Sequence, residues 1–298
     1  MKKFAFLFLS LLFSAGTVVF AGENPEGQLS KSEDENSRDL FAQETIYTFS
    51  GDFRNSAFGH GDSLYDDFSY DHRFLIKGKW YFRAGLEYER FDFGGTNNGL
   101  PDHLQGAYAH FALEYVVHDH AGASIEIDPG VYFQNRVSGD AVDVPAKIFV
   151  SFPLIKDKVF AVIGVGGGLY QHPVVAPGGG IIWLISEKMR LEGVFPKPAL
   201  VYQPNDDWQF RLLANIVYES YRTDDLFIPA RGVTLHNAVL QYNEDRVGVQ
   251  ARYNGFKPFQ IAVGAGYTII REFDFFRAHI SEKIDPAPYV RLNVEAKF

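Results

Sequence analysis

Charged residues recur at alternate positions along much of this 298-residue sequence. Within 80–89, Arg83, Glu87 and Glu89 alternate with apolar residues. Side chains of a β-strand point to opposite faces in turn, so each such segment has one charged and one apolar face. Residues of these types at this spacing can form ion pairs or contact a hydrophilic solute. Eight acidic and eight basic residues lie on such faces, together with His110: Glu87, Glu89, Glu114, Glu126, Asp128, Glu192, Glu219, Glu295, Arg83, Lys147, Arg190, Arg211, Arg246, Arg252, Arg291 and Lys297.

Signals for catalysis or metal binding are weak in comparison. The chain has no cysteine, so it has neither a disulfide framework nor a thiolate ligand. His118 and His120 flank a short turn, but no third ligand with matching geometry is evident in the sequence, and a solvated turn is the simpler interpretation. Ser151 and His110 fall on polar faces of strands that are not neighbours, and no serine lies in a nucleophile motif. The sequence therefore predicts no enzyme, no metal site and no cofactor.

The elements that carry these charged faces are strands, because a period-two pattern runs from Thr45 to the end of the chain. The connections alternate between long segments and short ones: 55–66, 94–103, 135–143, 222–237 and 273–286 against 77–79, 118–121, 154–158 and 255–258. Outer-membrane barrels have this asymmetry, with tight periplasmic turns and longer outward loops. We predict an all-β, antiparallel transmembrane β-barrel of fourteen strands, or of twelve if the proline-rich stretch 194–204 is not a hairpin.

The last strand, 288–298, supports this interpretation. Its apolar face ends in an aromatic residue, and its other face is charged. This ending resembles the signal that the barrel-assembly machinery reads, which here comprises Val290, Leu292, Val294 and Phe298. The alternative is the last strand of a soluble sandwich that happens to end in phenylalanine.

The N-terminal region predicts export. Two lysines, an apolar run and a small-residue cleavage site are typical of a signal peptide, which we place at 1–21. An acidic disordered periplasmic leader follows at 22–43, and the barrel occupies 44–298. Export and the net charge of −9 argue against a nucleic-acid partner. The predicted location is the outer membrane of a Gram-negative cell.

In such a barrel the charged faces must point inward, because an Arg or Lys at mid-bilayer costs about 2–4 kcal/mol on the outer wall. The charged residues named above and His110 are therefore predicted to line the lumen. Their balanced signs argue against a strongly anion- or cation-selective pore. Gly164, Gly166 and Gly168 share the lumen side of one strand, which indicates either a bend or open space inside the barrel.

Several segments occur in a characteristic order: GLPD at 99–102, RLEGVFPKP at 190–198 leading to Tyr202, RVGV at 246–249, REFDF at 271–275, and DPAPYV at 285–290 leading to the terminal Phe298. In this order the chain, from about residue 80 onward, resembles an uncharacterised family of bacterial outer-membrane β-barrel proteins. The order carries the resemblance more than any single segment. It implies a barrel fold and an outer-membrane location, and it implies no activity.

The function expected from these observations is a porin-like passive pore or transport channel for small hydrophilic solutes. Membrane lipids and lipopolysaccharide would contact the outer wall, and the barrel-assembly machinery would contact the last strand. One alternative is a structural or surface-interaction barrel with a closed lumen, which would bind partners through the loops 94–103, 222–237 and 273–286. A lipid-modifying outer-membrane enzyme is a second alternative, and a soluble periplasmic β protein is a third. The sequence leaves open whether the lumen is plugged.

Overall fold

The computed structural model describes residues 37–94, 98–118 and 120–298. The predicted signal peptide and most of the predicted leader lie outside these residues. The first strand begins at Ser37, so the prediction that the barrel starts at residue 44 is wrong. The polar composition of 37–43 suggested a disordered leader, but this segment pairs with strands on both sides, and that pairing supplies its hydrogen bonds.

The described residues form nineteen strands and three 3-10 helices of three residues each. The helices are Ser56–Phe58, Gly139–Ala141 and Phe276–Ala278. None of the helices in the described ranges is long and apolar enough to cross a membrane. The strands are β1 Ser37–Asp52, β2 His60–Lys77, β3 Trp80–Phe93, β4 His103–His118, β5 Ala121–Ile127, β6 Gly130–Phe133, β7 Val142–Asp143, β8 Ala146–Ile155, β9 Val159–Gly167, β10 Val175–Ser186, β11 Met189–Val194, β12 Ala199–Tyr202, β13 Trp208–Arg222, β14 Leu226–Ile228, β15 Val233–Leu235, β16 Val239–Phe256, β17 Phe259–Phe275, β18 Ile280–Lys283 and β19 Pro288–Lys297.

The strands close into one antiparallel barrel with fourteen positions in its wall. Three wall positions are each occupied by two consecutive strand segments: β5 with β6, β7 with β8, and β18 with β19. β14 and β15 form a separate hairpin outside the wall. The barrel closes where β1 pairs with β19, with Leu40 opposite Lys297 and Thr48 opposite Tyr289. This confirms the all-β barrel and the larger of the two predicted strand counts.

Three regions that were uncertain in the sequence have clear structures. The proline-rich stretch is a hairpin, since β11 pairs with β12 and β12 pairs with β13. β16 runs through the polar residues 243–245 as one strand, with a shift of register between Asp245 and Arg246. The long connection 222–237 contains the β14–β15 hairpin, which the sequence did not predict.

The connections differ in length at the two ends of the barrel, as predicted. At one end, which we call the short-turn end, only a few residues join β2 to β3, β8 to β9 and β16 to β17. At the other, the loop end, the longer segments include the β14–β15 hairpin and the three 3-10 helices.

The wall is also lower on one side than on the other. β8 to β12 contain between 4 and 12 residues, whereas β2 and β16 contain 18 each. Near the loop end, β6 makes a parallel contact with β13, with Phe133 opposite Arg222. The backbone N–H of Gln134 donates to the Arg222 carbonyl at 2.9 Å. Because this contact bypasses the short strands, the loop end closes around a smaller circumference than the short-turn end.

The outer surface of the barrel is apolar. Leu86, Ile163 and Val249 point outward from three different strands and are each more than half exposed. Charged residues of the same strands face inward, where most of them are buried. An apolar surface of this kind around a closed barrel is the one that hydrocarbon requires. The chain is therefore a transmembrane β-barrel.

Aromatic side chains gather on the outer surface at the short-turn end. The ring centroids of Trp80 and Tyr115 are 4.9 Å apart, and those of Trp208 and Tyr253 are also 4.9 Å apart. Such rings suit the boundary between hydrocarbon and headgroups, since each has an apolar body and a polar tip.

The last strand presents its apolar face outward at the seam of the barrel. Val290 and Leu292 are exposed, Val294 is half-buried, and the terminal Phe298 is exposed beside the ring of Phe41 at 6.2 Å. Recognition of these residues by the assembly machinery stays a prediction.

Candidate functional site

The loop end of the lumen is filled by an apolar plug. Phe93 on β3 packs against Tyr242 on β16 and Phe273 on β17, with ring centroids 5.0 and 4.8 Å apart. These strands lie on opposite sides of the barrel, so the plug crosses the lumen. Burying one such side chain contributes about 1.5–3 kcal/mol. The fifteen residues of the plug are Phe53, Phe58, Phe91, Phe93, Leu100, Leu104, Tyr132, Tyr221, Leu226, Ile228, Leu240, Tyr242, Phe273, Phe275 and Ile284.

Part of the plug comes from connecting segments and not from the wall. Leu226 and Ile228 belong to the β14–β15 hairpin, which we call the lid hairpin (226–235), and both are buried. The neighbouring loop packs closely against this hairpin at Gly99, which has φ of +87°. A Cβ atom at Gly99 would lie 2.0 Å from the carbonyl oxygen of Phe227, so only glycine fits there. Among the described strands, β14 and β15 pair only with each other, so the lid hairpin is not part of the wall ladder.

The lid hairpin is held at its base by exposed polar contacts. His236 Nδ1 lies 3.0 Å from Asp225 Oδ2, and the hydrogen bond from His236 holds the pKa of the Asp225 carboxyl below its usual value. Arg222 donates to the backbone carbonyl of Asn237 at 2.8 Å. Contacts between exposed groups of this kind contribute little individually. Arg231 of the lid hairpin, however, donates at 2.8 Å to the buried carboxylate of Glu282 on β18, and this ion pair ties the hairpin to the wall.

Below the plug, the lumen contains a cavity of about 680 Å³, which we call the vestibule. Its lining begins at the short-turn end with Lys188, Gln203 and Asn254 and reaches Glu89 and Glu219 beneath the plug. The lining is largely polar and charged. The lumen is therefore divided into a hydrophilic compartment at the short-turn end and an apolar closure at the loop end.

One side of the lumen, along β2, β3, β4, β5 and β8, is filled by buried charges, which we call the charged wall network. Glu114 accepts a hydrogen bond from Arg73 at 2.7 Å and lies 3.4 Å from Arg83 Nε. Arg83 also donates to Glu126 at 3.1 Å, and Lys147 Nζ contacts Glu126. Except for Arg73, each of these side chains is at most about 6% exposed. The network consists of Arg73, Arg83, His110, Glu114, Glu126, Asp128 and Lys147.

Three members of this network have a composition that can bind metal. His110, Glu126 and Asp128 offer ligand atoms within 4.8 Å of one another. However, His110 Nδ1 is hydrogen-bonded to Asp128 at 2.6 Å, and Lys147 Nζ contacts Glu126 and lies 3.9 Å from Asp128. The lysine ammonium thus supplies the positive charge that a metal would bring, and the group is best explained as part of the ion-pair network.

The serine and histidine considered as a nucleophile and base are not brought together. Ser151 donates its hydroxyl to the backbone carbonyl of His120, whereas His110 is bound to Asp128. Within the described part of the chain, no hydrogen bond joins Ser151 to His110. The ring of His120 instead packs near that of Phe160, at 5.5 Å.

Two smaller groups of ion pairs lie along the vestibule near the short-turn end. Glu192 accepts hydrogen bonds from Arg190, at 2.7 Å, and from Arg211. Arg252 pairs with Glu295 at 2.8 Å. Each of these carboxylates therefore has a guanidinium partner.

A further group lies deeper in the lumen and includes residues that the sequence interpretation missed. Glu244 is fully buried and accepts hydrogen bonds from Arg246 at 2.6 Å, from Thr48 at 3.3 Å and from Tyr242. Arg271, also buried, lies 3.9 Å from Glu244. The alternation of β16 continues through 243–245 and places Glu244 on the same face as Arg246, so the sequence pattern does carry a signal for this residue.

The register of β1, β2 and β3 places three carboxylates side by side at the deep end of the vestibule. Asp67 lies directly opposite Glu44 on one side and directly opposite Glu89 on the other. Like charges at directly opposed positions destabilise a sheet. Arg291 compensates Glu44, and Tyr221 donates to Glu89 at 2.8 Å. Asp67 Oδ1 is buried and has no hydrogen-bond partner among the described residues.

A fourth carboxylate faces the same space from the opposite wall. Glu219 on β13 lines the vestibule and is only 8% exposed. Its carboxylate makes no hydrogen bond or ion pair with any described residue. We call the deep end lined by Asp67, Glu87, Glu89 and Glu219 the acidic chamber; Lys197 also lines the vestibule.

The seventeen predicted lumen-lining residues are buried or line the vestibule, and the structure divides them into groups. The signs are not evenly mixed, because several carboxylates collect beneath the plug. Arg83, His110, Glu114, Glu126, Asp128 and Lys147 belong to the charged wall network; Arg190, Glu192, Arg211, Arg252, Glu295 and Lys297 form the pairs near the short-turn end; Arg246 and Arg291 lie deeper; Glu87, Glu89 and Glu219 line the acidic chamber. The sequence interpretation missed Glu44, Asp67, Glu244 and Arg271.

The glycine-rich strand β9 has a packing role. A Cβ atom at Gly164 would lie 2.3 Å from Cδ1 of Phe149, a buried residue of β8. The glycine therefore makes room for an aromatic ring on the inner face, next to Phe160 and Val162. At this position the sequence suggested a bend or open space, and the space is filled.

No protein-family model and no curated protein matches the chain. Several solved structures are similar to it in fold. An outer-membrane channel from Pseudomonas putida F1 is 9% identical, with 91% of this chain and 98% of that chain covered and a TM-score of 0.49. The toluene transporter TodX of Pseudomonas putida is 10% identical, with 94% of each chain covered and a TM-score of 0.44. LpxR from Salmonella typhimurium is 11% identical, with 86% and 99% covered and a TM-score of 0.41.

Proposed function

We propose that this protein is an outer-membrane transport channel for small hydrophilic solutes, described here in a closed state. The observation that carries the proposal is the division of the lumen. A polar vestibule of about 680 Å³ ends against an apolar plug that is built in part from connecting segments. A barrel whose only role was structural would gain stability from filling the vestibule as well.

Opening would require the plug to separate. Leu226 and Ile228 of the lid hairpin and Phe58 of a short 3-10 helix would leave the plug. This movement would break the ion pair between Arg231 and Glu282, but no hydrogen bond of the wall ladder. The wall-borne rings, such as Phe93 and Tyr242, would then line a constriction. Hydrophobic constrictions of this kind gate channels by excluding water.

The proposed orientation places the short-turn end, and so the vestibule, on the periplasmic side, because outer-membrane barrels keep their tight turns there. Membrane lipids and lipopolysaccharide would contact the apolar outer wall. The barrel-assembly machinery would act on β19, which carries Val290, Leu292, Val294 and Phe298. An exported chain with a cleaved signal peptide fits this location.

Single-channel conductance in planar bilayers tests the proposal. Residues 22–298, refolded in detergent, should give a mostly closed channel with brief openings. A double variant, Leu226→Ser with Ile228→Ser, places two hydroxyls in the apolar plug and should raise the open fraction at least ten-fold. Conductance of the open state should scale with salt concentration.

The matched control lies between the two substituted residues. Phe227 belongs to the same strand but points outward and is exposed. Phe227→Ser should therefore leave the open fraction at the wild-type value. If neither the wild type nor the double variant conducts, although both show the heat-modifiable mobility of a folded barrel, the channel proposal fails.

That failure would favour the second candidate, a barrel with a closed lumen that binds a partner through its loop end. The plug itself is the observation that supports this candidate, since fifteen buried apolar residues hold the loop end in one arrangement. A lipid-modifying enzyme has less support, because Ser151 and His110 have separate partners.

A further inference from the structure

The acidic chamber contains more negative charge than its own neighbours compensate. Asp67 lies between Glu44 and Glu89 in the ladder, and only Glu44 has a guanidinium partner. Buried charges are normally paired, because an uncompensated carboxylate in a low-dielectric environment is costly. Carboxylates at adjacent buried positions either take up protons or bind a positive group from outside the chain.

Glu219 supplies an independent observation. It faces the chamber from the opposite wall, is more than nine-tenths buried, and has no polar partner among the residues described. On the same inner face, Asn215 is 4% exposed, and its Oδ1 also has no hydrogen-bond partner within the described ranges. Two buried acceptors are therefore directed into the vestibule without a donor.

The carboxylates of the acidic chamber are too far apart to suit a single metal ion. A metal ion needs ligand atoms within a few ångströms of one another. In the described part of the chain, the only three-residue group that meets this condition is His110, Glu126 and Asp128, outside the chamber. The chamber carboxylates are spread over both walls, so the positive charge must be spread as well.

We propose that the acidic chamber binds a small organic amine that carries two ammonium groups. One ammonium would lie against Asp67 and Glu89, and the other against Glu219 on the opposite wall. The tyrosine rings of Tyr65 and Tyr108, which line the same end of the vestibule, would contact the carbon chain or face an ammonium group. As a substrate class, this inference rests on the proposed channel function, but the binding itself can be measured without transport.

Lys197 lies in this region beside Arg246 and Arg291, which pair with Glu244 and Glu44. It comes from the turn between β11 and β12, lines the vestibule, and forms no ion pair with the described residues. One ammonium cannot pair with carboxylates on two walls, so the chamber keeps acidic side chains that have no basic partner among the described residues. The arginines nearer the short-turn end have their own partners in Glu192 and Glu295.

Isothermal titration calorimetry on the detergent-solubilised barrel tests this inference. The probe is putrescine, a four-carbon diamine, in low-salt buffer. Mg²⁺ carries the same charge in a compact form, and 1,4-butanediol has the same chain without charge. We expect saturable binding of putrescine with one site per barrel, and binding of Mg²⁺ and butanediol that is at least ten-fold weaker.

Variants locate the site. Glu219→Gln and Asp67→Asn should each weaken putrescine binding at least ten-fold. Glu187→Gln removes the same charge from the rim of the vestibule and should change the affinity less than two-fold. Heat-modifiable mobility of each variant shows that the barrel is folded before titration.

Three results would overturn the inference: no saturable binding of putrescine, equally tight binding of Mg²⁺, or an equal loss in Glu187→Gln, which would indicate general attraction to negative charge. A barrel that binds putrescine but never conducts would keep this inference and reject the channel. A barrel that conducts but does not bind putrescine would keep the channel proposal and reject this inference.

Discussion

The inner wall of the barrel carries buried carboxylates in two settings. In the charged wall network, Glu114 and Glu126 each contact two or more basic groups. In the acidic chamber, Asp67 and Glu219 have no basic partner within the described residues, and Asp67 lies opposite another carboxylate. Both regions carry acidic side chains on the inner face, and the basic neighbours are what most clearly distinguishes them.

The difference indicates two roles. A carboxylate that is surrounded by arginine and lysine holds neighbouring strands together, and its removal leaves uncompensated positive charge. A carboxylate that faces an open cavity without a partner contributes nothing to the fold and can bind a ligand. Substituting carboxylate by amide should therefore have opposite effects on stability in the two regions.

The largest effect is expected in the charged wall network. Glu114→Gln should lower the free energy of unfolding by about 3 kcal/mol, because Arg73 and Arg83 lose a buried counter-charge. Urea unfolding in detergent, followed by tryptophan fluorescence, measures the change. Glu187→Gln in an exposed turn is the control and should change stability by less than about 0.5 kcal/mol. Equal midpoints for Glu114→Gln and wild type would contradict the assignment of this network to the fold.

A smaller loss is expected where the plug meets the acidic chamber. Tyr221 donates a buried hydrogen bond to Glu89 at 2.8 Å. Tyr221→Phe removes the donor and should cost about 1–2 kcal/mol in the same urea experiment. Tyr202→Phe, on the exposed outer surface, should have no measurable effect. If Tyr221→Phe were neutral, Glu89 would not depend on this bond, and it would belong with Asp67 and Glu219.

The smallest effect should have the opposite sign. Asp67→Asn removes a negative charge that is directly opposed to Glu44 and Glu89, so the barrel should gain about 0.5 kcal/mol. Asp206→Asn, the same substitution in an exposed turn, controls for general charge effects. A destabilised Asp67→Asn barrel would show that Asp67 is part of a structural network after all, and the distinction between the two regions would fail.

The sequence determined the barrel and the direction of its side chains. Strand periodicity is local, since alternate residues must face opposite sides, and a charge cannot face hydrocarbon cheaply. For this reason the fourteen strands, the unequal loops and the inward position of residues such as Arg83 and Glu219 could all be predicted. The start of β1 could not, because residues 37–43 are ordered by pairing with β2 and β19, and such pairing is a property of the closed barrel.

The partners of the inward charges, and so their roles, follow from the closed barrel and not from the sequence pattern. The sequence shows eight acids and eight bases, which suggested an evenly mixed lumen. Pairing depends on register and on contacts across the barrel, such as Tyr221 with Glu89, and these join residues far apart in the chain. The same holds for the plug, since Phe93, Tyr242 and Phe273 meet only because the wall closes and narrows at the loop end. Local patterns fix the face on which a residue lies, and closure fixes its partners.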